Sequence, residues 1–395
     1  MSAFRTSLRL ETQRLRAQPW ELALVSWVPA LAALLLLWTF STGVPTRLPI
    51  GVLDQDHSSL SRQLVRLLDA TPGLHVAERW ADEAQMQRAL VAGRVQAAVQ
   101  LPRGLAREVK HGRAGQVLLL HNAQLGTHSS MIQRDVRAVV ATASAGIELN
   151  ARMRRGQSPA AARQALEPLR AAPVALFNTA TNYEQFLASA LVPALLHILA
   201  MTAGAWAVGR ELRDRSLGRW LQACVGGAPG WAGTLAALAG KLLPAWVLLT
   251  AVGLLALTAL TVGRGWHPAG SLGWTMLALA VFMALSVAMG AFAAALGRSL
   301  RLALSATAFL TAPAFAFGGI GFPLGAMSFG ARAWAQALPY THYARVQVQQ
   351  LQMGAPLAVS LAAPLAMLLA TAALLAASAA LLGRAARAPQ SWGRR

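Results

Sequence analysis

Six long apolar runs dominate the hydropathy pattern of the chain, and a stretch of shorter alternating runs separates the first from the second. Each run is long enough for a helix that crosses the hydrocarbon core of a bilayer, which takes about 20 residues. The pattern therefore predicts an α-helical membrane protein with six transmembrane helices. The runs are Leu22–Val44, Phe186–Val208, Leu242–Val262, Leu272–Ala295, Leu302–Gly321 and Ser360–Leu382.

Between the first two runs, short strand-like segments alternate with amphipathic helical segments. A stretch of this length can hold its own hydrophobic core. It predicts an inserted α/β domain over residues 45–183. The predicted strands are Leu48–Leu53, His75–Glu78, Val95–Leu101, Val117–His121 and Val174–Phe177, and the predicted helices are Ser58–Ala70, Asp82–Val91, Ser129–Arg155 and one that ends at Leu169.

The remaining segments follow from the same pattern. Residues 1–21 predict a short basic helix at the membrane surface, and a merely basic flank is the alternative that the sequence leaves open. Residues 22–44 predict a retained signal-anchor helix, because a cleaved signal peptide has an apolar region of only about 7–15 residues. Residues 184–395 carry the other five spans, with a charged loop at 209–241. Prolines and glycines interrupt the pattern near residue 320, so we expect a re-entrant or extracytoplasmic segment over 319–359.

Composition supports the membrane interpretation. The 395 residues are 55% hydrophobic and 13% charged, with a mean hydropathy of +0.45. Soluble domains carry about 25% charged residues. The net charge of +20 comes largely from arginines that flank apolar runs; this indicates orientation signals and argues against nucleic acid as a partner. The single cysteine, Cys224, allows no internal disulfide and no cysteine metal cluster.

The basic residues also predict orientation. Both terminal tails, the 209–241 loop and the turn after the fourth run together hold 15 Lys or Arg residues, against three in the two short loops on the opposite side. Positive flanks stay in the cytoplasm, whereas long domains are translocated largely regardless of charge. We therefore expect a multi-pass protein of the bacterial inner membrane, with both termini in the cytoplasm and residues 45–183 in the periplasm.

The sequence contains no motif of soluble-enzyme chemistry. Gly240-Lys241 is not a Walker A loop, because Leu242 follows it and Leu235 stands where a glycine is needed. The sequence also lacks a His-Glu-x-x-His motif, paired cysteines and a Gly-x-Ser-x-Gly elbow. A non-catalytic protein without a cofactor or metal is predicted. The apolar runs contain no Asp, Glu, Lys or Arg, which disfavours an ion-coupled multidrug transporter.

Four polar residues in or near the second run are candidate pathway residues. His197 lies in the middle of the run and could contact cargo, but we favour a hydrogen bond to a neighbouring helix. Asn178, Asn182 and Glu184 precede the run. They could also contact cargo, although capping of the helix is the favoured interpretation.

The charged loop alternates charged and apolar residues at helical spacing. This predicts an amphipathic helix from Arg210 to Ala223 that docks in a groove of a partner, with charge pairs setting its register. An ordinary positive-inside loop is the alternative, and composition leaves the two open. The candidate coupling residues are Arg210, Glu211, Arg213, Asp214, Arg215, Leu217, Arg219, Trp220 and Lys241.

Several short motifs, in this order and spacing, resemble one family: the permease subunits of type-2 ABC exporters with a large extracytoplasmic domain between the first two spans. The resemblance covers nearly the whole chain. It rests on Asp54-Gln-Asp56, on Asn178 and Tyr183 before a span, on Arg210-Glu211, on Gly240-Lys241-Leu-Leu-Pro244, on Gly321-Phe-Pro323 and on Pro339-Tyr-Thr-His342.

The resemblance implies partners and a mechanism. It implies a separate cytoplasmic ABC ATPase at the charged loop, a second permease copy (identical or paralogous), the lipid bilayer and, in some members, a periplasmic adaptor of the membrane-fusion type. The family loop usually reads Glu-x-x-Gly-Thr-x-Glu, and the stretch with Arg215 and Gly218 departs from this pattern, because neither the Gly-Thr pair nor the second Glu follows Glu211 at that spacing. With Glu211 as a docking contact, Glu211→Arg is expected to abolish transport in a folded protein. A membrane-anchored sensor or assembly scaffold with a ligand-binding periplasmic domain is the alternative from another class.

Overall fold

The computed structural model describes residues 2–123, 126–158, 177–178, 181–226, 230–388, 390 and 392. The chain divides into two units, one formed by residues 1–43 and 176–395 and the other by residues 44–175. The helix predicted to end at Leu169 lies outside the described residues, as does the strand predicted at Val174–Phe177 apart from Phe177.

The elements are numbered here in chain order. The strands are β1 Leu48–Asp54, β2 Leu74–Trp80, β3 Ala97–Leu101 and β4 Leu118–His121. The helices are α1 Ala3–Ala17, α2 Pro19–Val25, α3 Trp27–Thr39, α4 Ser59–Asp69, α5 Glu83–Val91, α6 Leu105–Lys110, α7 Gly126–Arg154, α8 Ser189–Arg213, α9 Leu217–Val225, α10 Trp231–Thr258, α11 Leu272–Gly297, α12 Leu300–Thr311, α13 Ala314–Phe317, α14 Phe329–Ala337, α15 Pro339–Gln347, α16 Leu357–Ser360 and α17 Ala362–Ala386.

Within the described residues, six helical segments are long and apolar enough to cross a membrane, in agreement with the predicted number. All six belong to the first unit. They are Pro19–Thr39, Glu184–Arg213, Trp231–Gly263, Leu272–Gly297, Leu300–Phe317 and Leu357–Ala386.

Two of these segments extend well beyond the apolar runs that predicted them. The second continues to Arg213, and the third begins at Trp231, ten residues before Lys241. The two helices therefore carry Arg210 and Lys241 at ends that the apolar runs did not include, and residues 214–230 lie between them. The reason is that small and apolar residues from 231 to 240 continue the helix, while Arg210 and Lys241 find carboxylate partners inside the unit.

Small residues let the central helices α8 and α11 pack closely. A Cβ atom on Gly204 would lie 2.0 Å from the Val287 carbonyl oxygen, and one on Gly290 would lie 1.9 Å from that of Met201. Close backbone approach through small residues is the usual way in which membrane helices associate. The two glycines therefore fix this helix pair, around which the core of the unit is built.

The segment predicted to be re-entrant or extracytoplasmic contains an exposed helix and a buried one. Phe329 at the start of α14 is 88% exposed, whereas Tyr340 and Tyr343 of α15 are fully buried. Tyr343 stacks on Phe282 of α11 at 4.9 Å between ring centroids, and the Tyr340 hydroxyl donates to the Ala190 carbonyl at 2.9 Å. Helix α15 is thus part of the core of the first unit.

The second unit contains a four-stranded sheet in the order β2-β1-β3-β4. Strand β1 is parallel to β2 and β3, and β4 is antiparallel to β3. Buried parallel strands read as nearly continuous apolar runs, as Ile50–Leu53 does here. Ser58 and Asp82 cap α4 and α5 through their side chains. Four predicted strands and three predicted helices are present with small shifts at their ends, and α6 was not predicted.

Candidate functional site

Five charged side chains meet where α1, α2, α8 and α10 pack together. They are Glu11, Glu21, Arg210, Glu211 and Lys241, and we call this group the ion cluster. The side chains of Arg210 and Lys241 are only 2% and 3% exposed. Charges are buried in this way only when they are paired.

Arg210 joins α8 to both N-terminal helices. Its Nη1 atom donates to Glu21 Oε2 at 2.8 Å, and its Nη2 atom donates to Glu11 Oε2. A planar guanidinium can serve two carboxylates at once, which an ammonium group does less well. The Nε atom lies 3.8 Å from Glu211 Oε1 and has no hydrogen-bond partner among the described residues.

Lys241 joins α10 to the same group. Its Nζ atom donates to Glu211 Oε1 at 2.6 Å and to Glu11 Oε2 at 3.2 Å. Gly240, which precedes Lys241, allows this contact because it has no side chain. A Cβ atom at this position would lie 2.3 Å from the Phe4 carbonyl oxygen. Gly240 therefore lets α1 approach α10, and Lys241 then binds a carboxylate on α1.

The ion cluster is electrically neutral when the neighbouring Arg14 is counted with it. Arg14 Nη2 contacts Glu21 Oε1 at 2.5 Å, so that three carboxylates face three cations. Removing charges from water costs several kcal/mol per ion, on the order of what good pairing returns. The ion cluster therefore adds little net stability as a whole, but losing one partner leaves an uncompensated buried charge.

Helix α9 is anchored to the ion cluster and to α1. The Ser216 hydroxyl, at the start of α9, donates to the Glu211 carboxylate, and Trp220 Nε1 donates to the Ser7 hydroxyl at 3.2 Å. The Lys241 ammonium lies 4.7 Å from the Trp220 ring centroid, within the range of a cation–π interaction. Leu217 is fully buried beside Trp220, so α9 has one fixed face.

The predicted single helix from Arg210 to Ala223 is broken in the structure. Helix α8 ends at Arg213, and α9 begins at Leu217. Arg215, between them, has a φ of +52°, in the left-handed region that favours glycine. The break between the two helices therefore has a backbone cause at Arg215.

The charged candidate coupling residues fall into two sets. Arg210, Glu211 and Lys241 point into the ion cluster, whereas Arg213, Asp214, Arg215 and Arg219 are exposed. Among the exposed residues, Arg213 Nε donates to Asp214 Oδ1 at 2.7 Å, and this hydrogen bond holds the pKa of the Asp214 carboxyl below its ordinary value. Buried ion pairs within the first unit take up the first set, and the coupling role of both sets stays a prediction.

Three of the candidate pathway residues shape the start of the second span. Asn182 Oδ1 accepts from the backbone N–H groups of Glu184 and Gln185 at 2.8 and 3.2 Å, which is an N-cap arrangement. Asn178 Oδ1 accepts from the Asn182 N–H at 2.8 Å. The Glu184 side chain is 6% exposed and pairs with Arg264 Nε at 3.1 Å. Their observed contacts are therefore those of capping and pairing.

His197 lies fully buried between helices, in the arrangement favoured from the sequence. Its Nδ1 atom is 2.7 Å from the Ser286 hydroxyl of α11. That hydroxyl donates to the Phe282 carbonyl at 2.7 Å, so its one proton is used and we assign the ring proton to Nδ1. His197 thus links α8 to α11, and the structure does not bring it together with the ion cluster.

The sequence did not point to two of the three carboxylates of the ion cluster, Glu11 and Glu21. Glu11 and Glu21 precede the first apolar run and read as part of a basic flank. A signal exists in the helical spacing of α1, because Ser7, Glu11 and Leu15 recur every four residues and form its buried face. Two polar residues on the buried stripe of a helix indicate partners elsewhere in the chain.

The first unit thus combines six candidate spans with a buried group of charges beside the segment that connects the second span to the third. The sequence model of the ABC-2 family transporter protein matches residues 19–381, and the chain belongs to this family. Members are non-catalytic membrane components that associate with an ABC ATPase and the bilayer. No curated protein and no solved structure shows a significant match to the chain.

Proposed function

We propose that the protein is the permease subunit of an ATP-driven ABC exporter, which forms the transmembrane pathway with a second copy, identical or paralogous. ATP hydrolysis takes place in a separate cytoplasmic subunit. Both termini and the joint between the second and third spans face the cytoplasm of a bacterial cell. Residues 45–183 face the periplasm, where an adaptor of the membrane-fusion type can bind. Family membership and the predicted orientation support this assignment.

The attachment of α9 to the ion cluster carries the coupling proposal. Through Ser216 and Trp220, α9 is bonded to Glu211 on α8 and to Ser7 on α1. The cluster then binds α1, α2, α8 and α10 to one another. A push on α9 by an ATPase is therefore transmitted to the first three spans and the N-terminal helix together, as a rigid-body switch requires.

We assign direct contact with the ATPase to the four exposed residues Arg213, Asp214, Arg215 and Arg219. The substitution Glu211→Arg is no longer a clean test of docking. It would place a third cation beside Arg210 and Lys241 and remove a carboxylate that both contact. We expect that variant to misfold, so the docking test moves to residues whose side chains are in solvent.

The test compares Arg219→Glu with Arg9→Glu. Both arginines are exposed and both are expected on the cytoplasmic side, but only Arg219 lies on α9. Arg219→Glu is expected to reduce recovery of the ATPase in a pull-down from membranes about tenfold, which corresponds to roughly 1.4 kcal/mol. Arg9→Glu serves as the control and leaves recovery unchanged. Equal recovery with both variants would remove α9 as the docking element.

Transport in proteoliposomes separates the remaining classes. An exporter needs ATP and the ATPase subunit, and it works without a proton gradient. Cargo movement that stops when the proton gradient is collapsed at constant ATP would instead support an ion-coupled transporter. ATPase recovery without any cargo movement would support a sensor or scaffold.

A further inference from the structure

A cavity of about 260 Å³ lies beside the ion cluster in the first unit. Helix α2 forms one wall with Trp20 and Leu24, and α8 forms the facing wall with Leu199 and Ala203. Leu304 of α12 contributes from a third side. No residue assigned above to docking or helix capping lines it.

The cavity suits a hydrocarbon chain. Its walls are apolar apart from Thr202 and the end at the ion cluster, where Glu11, Glu21, Arg210 and Lys241 contribute. An apolar cavity of about 150 Å³ stays dry and binds benzene, so a volume of this size accepts a longer apolar group. An empty apolar cavity is unfavourable, because the side chains that line it lose dispersion contacts.

The mouth of the cavity lies on a membrane-facing surface. Trp20 and Leu24 are 48% and 44% exposed, and both belong to the first candidate span. Trp20 meets Trp206 of α8 edge-to-face at 5.1 Å between ring centroids, which places an aromatic pair at the opening. Tryptophan is enriched at the level of lipid headgroups. With the span in a bilayer, lipid chains are the molecules that reach this opening.

The polar end of the cavity is formed by the ion cluster. Glu11, Glu21, Arg210 and Lys241 all line it, and their charges are paired with one another. This end therefore needs no charged ligand, and the apolar walls select the occupant.

We propose that this cavity binds one acyl chain of a bilayer phospholipid, held by contacts with the apolar walls. The lipid is then a structural ligand that fills the space between α2 and α8 next to the coupling joint. The proposal requires only that the helices lie in a bilayer, so it stands apart from docking of the ATPase.

The test uses the full chain in liposomes that contain a phosphatidylethanolamine with a diazirine near the end of one acyl chain. After illumination, labelled peptides are mapped by mass spectrometry. Labelling is expected to concentrate on the cavity walls, at Leu199 and Ala203. Ala203→Phe fills the cavity and is expected to reduce this labelling about tenfold, equivalent to roughly 1.4 kcal/mol. Ala251→Phe, on the exposed face of α10, is the matched control.

A second cavity-filling variant keeps the test valid if Ala203→Phe does not fold. Leu304→Trp fills the same space from α12, and insertion of each variant is checked by size-exclusion chromatography. The proposal is overturned if an inserted cavity-filling variant labels as strongly as the control. It is also overturned if labelling spreads evenly to exposed residues of the sixth span such as Leu365 and Leu369. Because no ATPase is present, a negative docking result leaves this experiment unaffected.

Discussion

The two ends of α8 are held in contrasting ways. At its Arg210 end, the ion cluster joins helices through charged groups. At its Ser189 end, Gln347 Nε2 of α15 donates to the Ser189 carbonyl at 2.9 Å. The turn after α15 is in turn joined to α16, where Gln350 Nε2 donates to the Ser360 hydroxyl at 2.9 Å, and we call these neutral contacts the amide network. Both sets of side chains are buried, so the difference lies in charge and not in exposure.

This difference has an energetic consequence. A neutral hydrogen bond between membrane helices contributes about 0.6 kcal/mol on average, with a maximum near 1.7. Removing one partner of a buried ion pair costs about 3–5 kcal/mol, since the other charge is left without compensation. The ion cluster is therefore sensitive to single substitutions in a way that the amide network is not. Such a joint stays intact or fails as a unit, which suits an element that transmits a push.

The strongest test removes the central cation. Arg210→Leu leaves Glu11 and Glu21 buried without their shared partner. We expect a loss of stability of about 3–5 kcal/mol, seen as a large decrease in the midpoint of thermal unfolding followed by size-exclusion chromatography. The control exchanges one pair, because Glu211→Lys combined with Lys241→Glu keeps the charge balance and should recover part of the loss caused by either change alone. A small effect of Arg210→Leu would contradict the contrast between the two ends.

A weaker effect is expected in the amide network. Gln350→Leu removes three hydrogen bonds: one from the Ser271 N–H at 3.0 Å, one to the Ala355 carbonyl at 3.0 Å and one to Ser360. Because all the partners are neutral, we expect a loss of about 1–3 kcal/mol, measured by the same unfolding assay. Gln352→Leu, which loses one contact to the Gln185 carbonyl at 3.3 Å, is the milder comparison. A loss equal to that of Arg210→Leu would show that burial and not charge decides.

The smallest effect concerns the break between α8 and α9. Arg215→Gly relieves a left-handed conformation that costs a non-glycine residue about 1–2 kcal/mol, offset in part by the greater freedom of glycine in the unfolded chain. We expect unchanged or slightly raised stability. If the Arg215 side chain contacts the ATPase, recovery of that subunit should fall while the unfolding midpoint does not. A clear loss of stability would mean that Arg215 has a structural contact near α9.

Much of the architecture was accessible from the hydropathy pattern. The number of candidate spans and most elements of the second unit follow from runs of similar residues, whose periodicity is a local property. The ends of the second and third spans were not accessible, because Arg210 and Lys241 look like loop residues until their partners are known. Helix α6 is short, and its six residues carry too weak a pattern to be recognised.

Local sequence thus decided which segments are apolar enough to cross a membrane and where the basic flanks lie, because both depend on residues that are neighbours in the chain. Only the tertiary structure decided which charges face inward. Arg210 meets carboxylates 189 and 199 residues away in the sequence, and Lys241 meets one of them across 230 residues. Whether a charged side chain is buried depends on such distant partners, since desolvation is tolerated only where an opposite charge is already in place.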